Sequence, residues 1–152
     1  MIQRKQTIFL ILAFLVIMGC QCMPIAYFFP EGMGVDTEMY NCVLIDPLAR
    51  LRYTCWPLSL ILVLAATVTF IDIFLYKKRP LQAKLCWVIV GLLVVWYPTY
   101  YYYANTLAET YKCQLEYSWS ACLPALAIIF TLLARNGIIA DEKLVRSMDR
   151  IR

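Results

Sequence analysis

The sequence has no histidine. That removes the commonest metal ligand, the usual general base near neutral pH and imidazole ligation of haem. Most hydrolase and metalloenzyme readings lose their central residue, so no catalytic set, metal or resident cofactor is expected. Charge is scarce too: 16% of the 152 residues are Asp, Glu, Lys or Arg, against about 25% in a soluble domain. There are five glycines, no Gly/Ser linker and no low-complexity tract, which excludes a collagen-like fibre and a disordered tail. What remains is apolar, with 62% hydrophobic residues and a mean hydropathy of +0.67. This is the composition of a membrane protein and not of a nucleic-acid binder.

A spanning helix needs about 20 mostly apolar residues, because about 30 Å of hydrocarbon is crossed at about 1.5 Å per residue. Four segments qualify: 7–29, 56–76, 85–104 and 117–134. Pro57 falls in the first turn of the second, where its missing N–H is harmless. Pro124 falls inside the fourth, where neighbouring helices would have to satisfy the carbonyl it frees. The expected fold is all-α, a four-helix transmembrane bundle forming one domain over 1–152. A tail over 135–152 is expected to carry a short amphipathic helix. In that tail Ile138, Leu144, Val145, Met148 and Ile151 share one side, while Glu142, Lys143, Arg146, Ser147, Asp149 and Arg150 share the other. Such a helix lies on lipid headgroups or docks on a protein partner.

Charge bias sets the expected threading. Arg4 and Lys5 precede the first segment, Lys77, Lys78, Arg79 and Lys84 fill the middle loop, and Arg135, Lys143, Arg146, Arg150 and Arg152 follow the fourth. The other two loops carry Glu31, Asp36, Glu38, Asp46, Glu109 and Glu116 against Arg50, Arg52 and Lys112. The positive-inside rule then puts both termini and the middle loop on the cytoplasmic side, with the lipid bilayer as the first partner. Trp56, Trp96, Tyr97, Tyr100 to Tyr103, Tyr117 and Trp119 all fall near the opposite interface, where amphipathic rings prefer to lie. Ile17-Met18-Gly19-Cys20 has the form of a lipoprotein cleavage box, but the apolar run continues to Phe29, as an anchor requires.

Asp72 is an intramembrane charge near the end of the second segment. Its insertion cost of about 2.5–3.5 kcal/mol is exceeded by the surrounding aliphatic residues, and Lys77, Lys78 or Arg79 lies within reach of it. Six of the seven cysteines fall toward the outer side in this threading, and Cys42 with Cys55 forms a candidate disulfide or redox pair. That pair carries a second reading, a thiol-disulfide oxidoreductase similar in architecture to the DsbB and vitamin K epoxide reductase types, passing electrons to a quinone. The run Trp96 to Tyr103 would line the quinone pocket. Against it, Cys20-Gln21-Cys22 is the only closely spaced pair, and it falls within the first apolar segment.

Three stretches carry a resemblance: Met1 to Thr7, Tyr76 to Gln82 with Leu85-Cys86, and Asp141 to Arg152. They are similar to those of a bacterial family of small four-helix integral membrane proteins classed as a domain of unknown function. The resemblance covers the whole chain in order, with the closing dodecapeptide its most specific part. It implies the fold and the membrane location and supplies no catalytic residue. All three stretches fall on the basic face, where the distinctive sequence is concentrated. The leading expectation is therefore a non-enzymatic scaffold or accessory subunit that contacts a membrane or cytoplasmic protein through that face. Arg79, Leu81 and Gln82 in the middle loop, and Glu142, Arg146, Asp149 and Arg150 in the tail, are the expected contact residues.

Overall fold

The computed structural model describes residues 3–30, 36–45, 51–52, 55–75 and 78–149, with side chains for 6–29, 36–45, 55–75, 78–142 and 147. Four long helices dominate: α1 (Gln3–Cys22), α2 (Trp56–Phe74), α3 (Arg79–Tyr111) and α4 (Leu123–Asp149). Five short strands join them: β1 (Ala26–Pro30), β2 (Thr37–Met39), β3 (Leu44–Ile45), β4 (Leu51–Arg52) and β5 (Cys113–Tyr117). A 3-10 turn, Trp119–Cys122, leads into α4. Helix α1 packs on α2 and α4, and α3 packs on the same two. Trp56–Phe74, Arg79–Tyr111 and Trp119–Glu142 are long and apolar enough to cross a membrane, whereas the apolar part of α1, Gln6–Cys22, is shorter.

The expectation of a purely all-α fold is corrected by the sheet. Its order is β4-β3-β2-β1-β5, antiparallel throughout, with Ala26 opposite both Met39 and Tyr117. Pro24 explains why the first segment does not run as helix to Phe29. The residue before a proline is pushed out of the α region, and α1 ends at Cys22. The apolar residues that follow fit a strand as well as a helix, and Tyr27, Phe28 and Phe29 favour the strand. Ala26 and Phe28 turn inward at 0% and 2% exposure, while Tyr27 and Phe29 stay partly exposed, the two-residue alternation of a half-buried strand. The loop after α1 and the loop after α3 lie at the same end of the helices, so β1 and β5 meet there and the sheet caps that end.

The other boundaries shift for similar reasons. Pro124 is the second residue of α4, not an interior one, so it frees no carbonyl. Pro98 is the interior proline, in α3. Helix α4 runs unbroken through Ala134 to Asp149, about 40 Å at about 1.5 Å per residue. The tail is therefore an extension of the fourth helix and not a separate short helix. Ile138, fully buried with Leu10, Cys86 and Ala134, anchors the extension beyond the apolar run. A larger core around Ile17, Leu58, Leu62, Leu93 and Trp96 fills the end nearer the sheet. Ile8, Leu15, Val63, Phe70, Trp87, Val94 and Ile129 are all at least half exposed, an outward apolar surface suited to lipid.

Candidate functional site

The terminal end, opposite the sheet, holds the polar cluster. The Gln6 side-chain amide, on the second turn of α1, donates to Oδ2 of Asp141 on α4. Arg79, at the start of α3, donates from Nη1 to the Asp141 carbonyl at 3.3 Å. Gln6 and Asp141 are buried, at 8% and 6% exposure. Gly137 makes the close approach feasible, because a Cβ there would stand 2.9 Å from Cγ of Gln6. Three stretches far apart in sequence thus meet at one place.

One layer deeper, Asp72 on α2 is fully buried. Its Oδ2 accepts the Cys86 thiol at 3.4 Å, its backbone carbonyl accepts the Gln82 amide at 3.1 Å, and its Oδ1 meets no donor among the described residues. The expected partner Arg79 is engaged by Asp141 instead, and Lys78 shows no bond to Asp72. The reason is direction: Asp72 points into the helix packing toward α3, whereas Lys78 and Arg79 sit past the end of α2, and Lys77 lies outside the described residues. Arg135 on α4 stacks its guanidinium over Trp87 of α3, 4.9 Å from the ring centroid.

Of the expected contact residues, the structure brings Arg79 and Gln82 into this cluster. Leu81 is exposed at 43% and Glu142 is half-buried on α4. The side chains of Arg146 and Asp149 lie outside the described residues, as does Arg150 entirely. Sequence reasoning missed Gln6, Gly137 and Asp141 as a unit. The available signal was an amide, Gln6, at the edge of an apolar run together with a glycine inside a helical pattern, which asks for a packing reason.

At the sheet end Asn41 is fully buried and does the joining. Its Nδ2 donates to the Cys20 carbonyl at 2.7 Å, and its Oδ1 accepts the Trp96 indole N–H at 3.1 Å. The last carbonyls of a helix have no partner within it, so Asn41 completes the end of α1. The Tyr100 hydroxyl donates to the Ile25 carbonyl at 2.7 Å, and its ring stacks on Trp96 at 5.0 Å. The aromatic run accordingly divides: Trp96 and Tyr100 are core, whereas Tyr101 and Tyr102 are about two-thirds exposed.

No disulfide joins Cys42 to Cys55. Cys42 is half-buried, and Cys55, just before α2, is fully buried. Burial pushes the Cys55 thiol up to about 12, with nearby Cys42 adding to the shift. A thiol held neutral in this way is a poor nucleophile. Cys20 is buried and Cys22 exposed, so the closely spaced pair is split by the helix. Among the described residues no three Cys, Asp or Glu side chains gather as a metal site. An apolar groove of about 410 Å³ lies between α1 and α2, lined by Phe14, Ile17, Leu62 and Phe70, with the tyrosine run elsewhere.

The geometry defines a mostly helical protein with membrane-spanning potential, a small sheet at one end and a knot of buried polar side chains at the other. Over residues 2–151 the sequence matches the model of a family described as a domain of unknown function, DUF4293, and the chain belongs to that family. No curated protein matches it.

Proposed function

We propose that the protein is a non-enzymatic scaffold or accessory subunit of a bacterial cytoplasmic membrane. In this reading four helices cross the bilayer, both termini are cytoplasmic, and the basic terminal end is the working face. The observation that carries it is the joining of Gln6, Arg79 and Asp141. A chain whose distinctive stretches converge on one end, where Gln6 and Arg79 brace the last helix at Asp141, is suited to present a surface. The Lys and Arg count on that side, eleven against Asp141, Glu142 and Asp149, favours an acidic or phosphate-bearing partner surface.

The test is co-purification in mild detergent of the intact chain, of a chain ending at residue 140 and of the Arg79→Ala variant. Partners retained by the intact chain and lost from both altered forms support the reading. Identical partner sets from all three overturn it.

A further inference from the structure

Arg135 marks the boundary of the fourth apolar run, being the first charge after 117–134. Its Nε is buried and meets no acceptor among the described residues. Neither nearby carboxylate is bonded to it: Asp141 accepts Gln6, and Asp72 accepts the Cys86 thiol on Oδ2 while its Oδ1 makes no hydrogen bond. A guanidinium is always charged and offers its N–H groups as a planar fork, and the half-buried Arg135 side chain brings that charge to the surface beside Trp87. The group lies over the ring of Trp87, whose side chain is 55% exposed on the outward side of α3. Lys84, exposed and three residues before Trp87, lies on the same face of α3 one turn nearer the terminal end.

Beyond Trp87 the same face continues as Gly91, Val94 and Val95. Both valines are 53% exposed, and around Gly91 nothing lies within 4 Å of where a Cβ would be. Two cations and an indole at a membrane boundary, continued by a smooth apolar track toward the membrane interior, match one kind of ligand. We infer that Arg135, Lys84 and Trp87 bind the phosphate of a negatively charged glycerophospholipid, with an acyl chain along Gly91, Val94 and Val95. Arginine grips a phosphate through paired N–H donors, indoles settle at the headgroup level, and basic clefts between membrane helices select anionic lipids. The track is what favours a lipid over a free phosphate, since a soluble anion would make no use of it. The site is independent of which membrane face the terminal end occupies.

Native mass spectrometry of the full chain in mild detergent provides the test, with phosphatidylglycerol and phosphatidylcholine of the same acyl chains as probes. The wild type is expected to bind phosphatidylglycerol more tightly than phosphatidylcholine. Arg135→Gln and Lys84→Gln should each weaken phosphatidylglycerol by about fivefold while leaving phosphatidylcholine unchanged. Lys84 is exposed, so its replacement tests the site without threatening the fold. Equal affinity of the wild type for both lipids, or full retention of phosphatidylglycerol by Lys84→Gln and Arg135→Gln, overturns the inference. Displacement of phosphatidylglycerol by soluble glycerol 3-phosphate at comparable concentration would assign the site to a free phosphate and overturn the lipid assignment.

Discussion

The Gln6 amide and the Asp141 carboxylate are hydrogen-bonded across a sequence separation of 135 residues. That single contact ties the beginning of the first helix to the extension of the last. Arg79 then adds the start of α3 from the other side of Asp141. A hydrogen bond to a charged group contributes about 1.5–3 kcal/mol when both partners are buried, and removing one partner leaves the other unpaired. The contact is therefore more than a surface decoration: it adds to the Arg79 bond and to the packing of Ile138 in holding the extension of α4.

Gly137 is the residue that permits this contact. In Gly137→Ala the new Cβ meets Cγ of Gln6 at 2.9 Å, so Gln6 must swing away from Asp141. The expected cost is about 1–3 kcal/mol, the usual range for overpacking. In a Gln6→Ala background the same substitution should cost much less, because the obstructing side chain is gone. Gly91→Ala, placed in open space, should be neutral or slightly stabilising in the same melting assay. Equal losses at Gly137 and Gly91 would refute the steric argument.

The brace predicts protease sensitivity. Lys143 and Arg146 lie within α4, where a helical backbone resists tryptic cleavage. Gln6→Leu and Arg79→Ala should each accelerate cleavage at these sites severalfold, with little change in cleavage after Lys112. Unaltered rates would show that the extension stands without the contact.

The sequence made the helices legible because long apolar runs have few alternative structures. Periodicity, proline position and charge located α2 to within two residues. The ends of α1 and α4 were harder, for opposite reasons. From Met23 to Phe29 hydrophobicity persists while conformation changes, so only Pro24 marks the break. From Arg135 to Asp149 hydrophobicity changes while conformation persists, since nothing in that stretch stops a helix. The polar cluster was half visible: Arg79 and Gln82 stood out by their position in the distinctive middle loop, but Gln6 and Asp141 acquire their roles only through pairing across the chain. Asn41 could not be read at all, because its partners Cys20 and Trp96 come from two separate helices.

Asn41 should be the most sensitive polar position at the sheet end. Asn41→Ala deprives both the Cys20 carbonyl and the Trp96 indole of their partners in a region that excludes water. At about 1–3 kcal/mol for each orphaned group, a loss of about 2–5 kcal/mol is expected. Trp96→Phe removes one of the two bonds and keeps most of the ring packing, so it should cost about half as much. Apparent melting temperatures in one detergent would rank the variants, and a wild-type-like Asn41→Ala would contradict the arrangement.

Cys55 gives a pH-dependent prediction. Burial, with a smaller contribution from nearby Cys42, raises its thiol from the ordinary 9.0 to about 12. The folded form therefore holds the proton more tightly than the unfolded chain. Its contribution to stability is complete below about pH 9 and is lost as pH rises from there toward about 12. With reductant present, wild type should exceed Cys55→Ala in stability at about pH 8, since the alanine leaves a small cavity. That margin should shrink, and then reverse, as pH approaches about 11, because only the wild type gains by releasing this proton on unfolding. Maleimide labelling should agree, with Cys55 unreactive at about pH 8 until the chain is unfolded. A stability margin that stays constant across this range would mean that Cys55 is not held as a neutral buried thiol.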